Sequence, residues 1–246
     1  MTIEYDGSAF VGWQRQPNGL SVQEAVEDAL SGHLGEKITV TASGRTDAGV
    51  HALGQVISFS TCSHMPLKGI RHGTQALLPE AVAILDAREV DPSFDARRSA
   101  RLRWYRFFLL NRDVRPAVGA RYVTHIRGPL DMALMEQAAR ILTGEHDFRA
   151  FRASTCEATR TRLTLHPPRI TWGSDGIIIL DFRCRSFLQN MVRILAGAMV
   201  ACAQRRLTLD ELRTMLETGV RHHQATTLPP NGLFLYRVYY EEEEET

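Results

Sequence analysis

The chain has few lysines, few cysteines and no long apolar run, and each scarcity excludes a class of protein. Only Lys37 and Lys68 are lysines, so almost all of the 29 basic residues are arginine. No apolar stretch approaches the roughly 20 residues of a membrane-spanning helix, and the chain does not open with a basic segment followed by an apolar core. We therefore expect neither a membrane span nor a secretory signal.

The cysteines and histidines do not form a metal-binding pattern. The four cysteines lie at positions 62, 156, 184 and 202, and no two are close enough for a zinc-type pair. This spacing favours reduced thiols in a cytoplasmic protein. His222 and His223 are adjacent, but no cysteine or acid nearby completes a ligand set, so we predict no metal site.

The charge gives only a weak indication of the partner. The formal net charge of +1 by itself argues slightly against a nucleic-acid partner, but five of the acidic residues are the consecutive glutamates 241–245. Arginine makes bidentate contacts with phosphate and stacks on bases, which favours RNA. A codon bias towards arginine would explain the same composition.

Strand-like and helix-like segments are interleaved along the chain, which predicts an α+β fold. Apolar spacing and capping residues predict helices over 21–32, 66–78, 131–143, 187–204 and 208–218. We predict an amino-terminal half over 1–115, a carboxy-terminal half over 116–240, and a disordered acidic tail over 241–246.

The helix predicted over 187–204 is apolar on nearly all sides, which is typical of a buried helix. Arg193 is its only charged residue. A buried arginine needs an acidic partner, although Arg193 could also reach solvent or pair with an acid elsewhere.

The loop Gly44–Ala52, between two strand-like runs, holds one acid between glycines. Asp47 lies two residues from Arg45, and such a loop can present an ionised carboxylate to a ligand. On the residues alone, an Asx-turn in which Asp47 only caps its own loop is the commoner interpretation.

The basic segment 95–106 is predicted to end in a strand. Alternation places Arg103 and Tyr105 on one side and Trp104 and Arg106 on the other. This suits a surface that stacks bases and binds phosphate, but a half-buried strand with Tyr105 in the core explains the pattern equally well.

Nine contiguous residues, Gly-Arg-Thr-Asp-Ala-Gly-Val-His-Ala at 44–52, resemble the signature loop of the TruA-type tRNA pseudouridine synthases. Other segments resemble motifs of the same family in the same order, so that the resemblance covers nearly the whole chain: 5–7 with 10–14, 103–107, 144–148, 187–193 and 232–235.

The resemblance implies the pseudouridine synthase fold, an α+β arrangement with a mostly antiparallel sheet flanked by helices and two similar halves. It implies isomerisation of uridine to pseudouridine in the anticodon stem and loop of tRNA (positions 38, 39 and 40), by one catalytic aspartate and base flipping. It also implies a homodimer, and the reaction requires no cofactor and no metal.

The family's site residues fall on particular positions of this chain. The resemblance makes Asp47 the catalytic residue and places Arg193 against it, where a positive charge favours the ionised carboxylate. Tyr105 would stack on the target base and assist removal of a proton from C5. Arg45 would hold the flipped-out arrangement, and Leu233 would line the pocket.

The chain departs from the family pattern at two places, and two other functions are compatible with its residues. Phe107 stands where tyrosine is common, and segment 224–231 matches only in part. A non-catalytic RNA-binding module would not need the Asp47 loop. A hydrolase with two carboxylates would need a second acid, for which Asp6 or Asp147 could serve.

Overall fold

The computed structural model describes residues 1–241 and divides into two compact units. Unit 1 comprises Met1–Arg101 and the described residues from Phe234 onward, and unit 2 comprises Leu102–Leu233. The halves predicted at 1–115 and 116–240 divide the chain at other points, and their similarity stays a prediction. Apart from Glu241, the predicted acidic tail lies outside the described residues.

The described residues contain eleven strands and five α-helices. The strands are β1 Thr2–Tyr5, β2 Thr41–Ala42, β3 His51–Ser58, β4 Val82–Asp86, β5 Leu102–Asn111, β6 Thr124–Ile126, β7 Gly144–Asp147, β8 Arg162–Leu165, β9 Arg169–Trp172, β10 Ile177–Cys184 and β11 Leu233–Tyr239. The α-helices are α1 Val22–Leu34, α2 Leu67–Leu77, α3 Met132–Leu142, α4 Met191–Ala203 and α5 Leu209–Thr218.

Unit 1 is built on a sheet in the order β4-β1-β3-β11, with β2 beside β3. Strand β1 pairs antiparallel with β3 and β4, whereas β11 runs parallel to β3. Helices α1 and α2 pack against each other. The last strand belongs to this unit because it pairs with β3, although the 132 residues of unit 2 separate it from the rest of the unit in sequence.

Unit 2 is built on the antiparallel pair β5 and β10, which are in register from Leu110–Ile177 to Arg103–Cys184. Strand β6 extends this pair in parallel with β5, and β9, β8 and β7 continue it in antiparallel fashion beyond β10. Helix α3 packs on α4 and α5. The strand pairings of both units are thus mostly antiparallel, and the predicted α+β fold class is confirmed.

Capping residues set several helix ends where the sequence predicts them. Thr208 and Glu211 form a reciprocal capping box at the start of α5, and Gly219 ends this helix in the left-handed conformation. Asp131 caps α3 by accepting a hydrogen bond from the Leu134 N–H. Helix α1 continues to Leu34, two residues beyond its predicted end, and stops at Gly35, whose φ of +69° suits glycine.

Helix α4 begins at Met191, four residues later than predicted. The preceding residue, Asn190, has φ +62° and ψ +2°, a left-handed conformation that cannot continue a right-handed helix. Of the 13 residues of α4, all but Arg193 are buried, which confirms the prediction of a buried helix. No helix within residues 1–241 combines the length and the apolar character needed to cross a membrane.

Candidate functional site

Asp47 lies in the loop that connects β2 to β3 in unit 1. The Val50 N–H donates to the Asp47 carbonyl oxygen at 3.1 Å, which closes a tight turn, and Gly49 occupies the turn with φ +78°. Asp47 is half-buried, while Arg45 and Ala48 are exposed. The loop therefore holds an acid near the surface on a closed backbone turn.

The amino-terminal segment packs directly against this loop. The Trp13 N–H donates to the Thr46 carbonyl at 3.0 Å, and a Cβ built on Gly12 would lie 3.1 Å from Thr46 O. A Cβ on Gly7 would lie 2.0 Å from the Val50 carbonyl oxygen, which is shorter than any van der Waals contact. Glycine at position 7 is thus required for the loop to approach the segment that follows β1.

A buried polar cluster lies beneath the loop. Gln55 Nε2 donates to Gly44 O at 2.7 Å and to Tyr5 Oη at 3.4 Å, and Gln55 Oε1 accepts from Ser43 Oγ at 2.6 Å. Tyr5 Oη lies 2.8 Å from Thr46 Oγ1. Burial raises the pKa of Tyr5 to about 12, against the opposing hydrogen bonds of Thr46 and Gln55, so the phenol stays protonated at neutral pH.

His51, the last polar residue of the signature loop, is buried at the start of β3. Its Nδ1 accepts a hydrogen bond from the Gly7 N–H at 3.1 Å and lies 3.1 Å from Asp6 Oδ1. Its ring stacks on Phe234 at a centroid distance of 4.7 Å. Asp6 itself accepts from the N–H and the hydroxyl of Ser8 and so caps the turn 7–9.

Arg193 in unit 2 is held by two hydrogen bonds from its guanidinium. Nε donates to the Leu228 carbonyl at 2.7 Å, and NH1 donates to Asn190 Oδ1 at 2.8 Å. The segment around Leu228 approaches α4 closely, because a Cβ on Gly197 would lie 1.9 Å from the Thr226 carbonyl oxygen. Helix α4 and segment 226–228 thus both contribute to the orientation of the guanidinium.

Tyr105 lies in the middle of β5 and is 7% exposed. Its ring meets Phe187 edge to face at 5.1 Å, which is a favourable geometry for two aromatic rings. The sequence left open whether Tyr105 lies on an exposed surface or in the core, and it is buried. Gly232 lies beside the same strand, because the Phe108 N–H donates to Gly232 O at 2.8 Å, and Leu233 follows it as a buried residue.

The other face of β5 carries an ion-pair cluster around Asp181 of β10. Arg106 Nε and Trp104 Nε1 both donate to Asp181 Oδ1, at 2.8 and 2.7 Å. Arg183 lies 4.2 Å above the Trp104 ring. These arginines pair with an acid and with an aromatic ring of their own unit, and the predicted alternation of the two faces of β5 is confirmed.

Two groups of site residues escaped the sequence reasoning. The helix predicted over 187–204 includes Phe187 and Asn190, but both lie in the turn before α4, where they contact Tyr105 and Arg193. Asn190 before an apolar helical run is a signal that could have located this turn. Gln55 lies in the strand-like run after the signature loop, and a glutamine among apolar strand residues is the signal for a buried polar contact.

The two acids considered for a second carboxylate both cap short turns. Asp147 accepts from the Arg149 N–H at 3.1 Å and caps the turn 148–151. Burial acts to raise the pKa of Asp147, but hydrogen bonds from Thr161 and Arg149 outweigh it and hold the pKa below its ordinary value. Within residues 1–241, no group of three or more His, Cys, Asp or Glu side chains is placed to hold a metal ion.

Comparison with known proteins assigns most of the chain to one family of enzymes. A family model described as tRNA pseudouridine synthase matches residues 1–97 and 138–241. The tRNA pseudouridine synthase A of Syntrophotalea carbinolica is 42% identical over 240 residues, which are 98% of this chain and 95% of the relative. The enzyme of the same name from Nitrosomonas europaea is 40% identical over 248 residues, which are 98% of this chain and 88% of the relative.

Proposed function

The chain belongs to the tRNA pseudouridine synthase family, isomerases that act on uridine in tRNA, and we propose that it acts on the anticodon stem and loop, at positions 38, 39 and 40. The observation that carries the catalytic part of the proposal is Asp47, held half-buried on a closed turn inside the nine-residue signature loop, whereas the tRNA positions rest on the family resemblance.

The reaction breaks the bond from C1′ of the ribose to N1 of uracil, turns the base and joins C1′ to C5. Its product has the mass and the oxidation state of its substrate, so the reaction needs no redox cofactor. It does need an ionised carboxylate at the sugar or the base, a grip on the detached base and exclusion of water. In the proposed reaction Asp47 supplies the carboxylate, and the target uridine first leaves its stack, which costs a few kcal/mol.

Four further residues complete the proposed site. Tyr105 stacks on the base, and its hydroxyl assists removal of the proton from C5. Arg193 contributes a guanidinium that hydrogen bonds to Leu228 and Asn190 orient. Arg45, exposed on the signature loop, holds the flipped-out nucleotide, and Leu233 contributes apolar surface. The ion pair of Asp47 and Arg193 that the family resemblance implies stays a prediction.

The function is tested by an assay that detects the conversion of uridine to pseudouridine, a reaction that leaves the mass of the RNA unchanged. Unmodified tRNA transcript is incubated with the wild type or with Asp47→Ala, and pseudouridine is mapped by carbodiimide labelling and primer-extension stops. Stops in the anticodon stem and loop with the wild type alone are the expected result. Tight tRNA binding without stops at any position would instead support the RNA-binding module.

Tyr105→Phe is expected to lower turnover about 100-fold with little change in tRNA affinity. The substitution keeps the ring and its contact with Phe187 but removes the hydroxyl, and general acid–base groups contribute factors of this order. Single-turnover rates and filter binding separate the two effects. Unchanged turnover would exclude the hydroxyl from proton transfer, and Tyr105→Leu, which removes the ring, serves as the comparison.

Asn190→Gly is expected to reduce turnover about 10-fold or more while the melting temperature stays within a few degrees of wild type. Glycine adopts φ +62° without strain, so only the acceptor for Arg193 NH1 is lost. Asn190→Asp keeps an oxygen acceptor and should retain most of the activity. Full activity of Asn190→Gly would show that Asn190 does not position Arg193.

We further propose that the protein works in the cytoplasm as a homodimer in which one tRNA spans both subunits. A tRNA substrate supports the compartment, and the family resemblance supports the dimer. Sedimentation of the protein alone measures the number of subunits, and sedimentation with tRNA measures how many subunits bind one tRNA. A monomer that is fully active at assay concentration would contradict the dimer.

A further inference from the structure

The buried cluster beneath the signature loop has no part in the reaction described above. It consists of Tyr5, Ser43, Thr46 and Gln55, all of which are less than 7% exposed. Burial of four polar side chains is unfavourable unless their hydrogen bonds are made, and here they bond to one another and to the loop backbone. A polar cluster at this place therefore has an effect that apolar packing would not have.

The cluster ties the loop to the sheet on the side that leads into Asp47. Gln55, on β3, bonds through its amide to Ser43 Oγ and Gly44 O, at 2.6 and 2.7 Å. Through Tyr5 on β1 the same amide reaches Thr46, the residue immediately before Asp47, because Tyr5 Oη is 2.8 Å from Thr46 Oγ1. Residues 43, 44 and 46 are thereby fixed to two paired strands.

Backbone hydrogen bonds hold the main chain on both sides of Asp47. Thr46 O accepts from the Trp13 N–H, and Asp47 O accepts from the Val50 N–H. The peptide groups on both sides of the aspartate are therefore held, and Thr46 is held from its side chain as well. Since apolar contacts are not directional, only hydrogen bonds determine the orientation of a loop this strictly.

We propose that Tyr5, Thr46 and Gln55 are positioning residues for the Asp47 carboxylate, an inference that rests on the proposed function. Tyr5 acts through its neutral hydroxyl, which accepts from Gln55 Nε2 and is hydrogen-bonded to Thr46 Oγ1. Loss of this hydroxyl leaves the loop in place, held by Trp13 and Gln55, but widens the range of positions of the carboxylate. Misplacement of a catalytic group by about 1 Å costs on the order of 100-fold in rate.

The experiment compares Tyr5→Phe, Thr46→Val and the double variant in steady-state and single-turnover assays on tRNA transcript. Each single variant is expected to lower kcat about 10- to 100-fold, with KM and the Kd for tRNA within about twofold of wild type. The double variant should lose no more than the worse single variant, because both substitutions break the same hydrogen bond. Thr46→Ser, which keeps the hydroxyl, should restore kcat to within about threefold of wild type.

Tyr240→Phe is the matched control, because it too removes a hydrogen-bonded tyrosine hydroxyl of unit 1, that of Tyr240, which donates to Ala96 O at 2.8 Å. It should leave kcat unchanged, and the melting temperatures of all variants are recorded. Wild-type kcat in Tyr5→Phe, losses that multiply in the double variant, or equal losses in Tyr240→Phe would overturn the proposal. If Tyr5→Phe does not fold, the comparison of Thr46→Val with Thr46→Ser decides.

The result is separable from the proposed function. If Asp47→Ala still forms pseudouridine, the function assigned to Asp47 is wrong, whatever Tyr5→Phe does. If Asp47→Ala is inactive and Tyr5→Phe turns over at the wild-type rate, the carboxylate acts as proposed and only the positioning cluster is wrong.

Discussion

Asp47→Asn is expected to lower the rate of pseudouridine formation by at least about 1,000-fold while the Kd for tRNA stays within about twofold of wild type. Asparagine has the shape of aspartate and leaves the turn from Asp47 O to the Val50 N–H intact, so the loop should keep its conformation. What is lost is the negative charge, which the reaction requires at the ribose or the base. Single-turnover assays and filter binding on the same tRNA transcript measure the two quantities.

Asp147→Asn is the matched control for this substitution. Asp147 caps the turn 148–151 through the Arg149 N–H, and asparagine caps such turns about as well as aspartate. We expect a rate within a few-fold of wild type and an unchanged melting temperature. If Asp147→Asn were as inactive as Asp47→Asn, the reaction would use two carboxylates, and the single-acid mechanism would have to be abandoned.

An equal loss of tRNA binding and of activity in Asp47→Asn would point to a different role for the loop. The carboxylate would then stabilise the folded structure or bind the RNA rather than take part in the chemical step. Circular dichroism and the melting temperature distinguish these cases, because a structural role predicts a lower melting temperature and a binding role does not.

Arg193→Ala is the second substitution with a large expected effect. Turnover should fall at least about 100-fold, because a fixed guanidinium that stabilises charge at a reacting group contributes a factor of this size. Stability should fall by about 1–3 kcal/mol, because Leu228 O and Asn190 Oδ1 would lose their donor in a largely buried environment. Activity assays and urea unfolding at constant m-value measure the two effects separately.

Arg140→Ala provides the control for removal of an arginine from a helix of unit 2. Arg140 forms an i,i+4 pair with Glu136 in which both side chains are more than half exposed, and such pairs contribute at most about 0.5 kcal/mol. We expect wild-type turnover. A stable Arg193→Ala protein with a normal rate would remove Arg193 from the site and with it the predicted ion pair to Asp47.

Local sequence determined the elements that depend on residues close to one another in the chain. The capping box of α5 needs only Thr208 and Glu211, three residues apart, and it forms as predicted. The strand β10 and the buried helix α4 follow from continuous apolar runs, which have no other stable place than a core. The signature loop around Asp47 was likewise recognisable, because its nine residues are contiguous.

The tertiary structure decided the features that depend on residues distant in sequence. Helix α4 starts late because Asn190 is left-handed and bonds to Arg193, and helical periodicity contains no information about that bond. The burial of Tyr105 was open in sequence because alternation separates the two faces of a strand but does not say which one is covered. The terminal strand β11 belongs to unit 1 only through its pairing with β3.

The same distinction applies to the candidate site. The sequence by itself identified the family and the α+β class, because these depend on contiguous motifs and on apolar periodicity, and the family resemblance makes Asp47 the candidate catalytic residue. Only the tertiary structure revealed that Tyr5 and Gln55, 50 residues apart, meet beneath the aspartate loop. Hydrogen bonds between buried side chains are sensitive to changes of a few tenths of an ångström in the distance between donor and acceptor. These distances are set only when the two strands have paired.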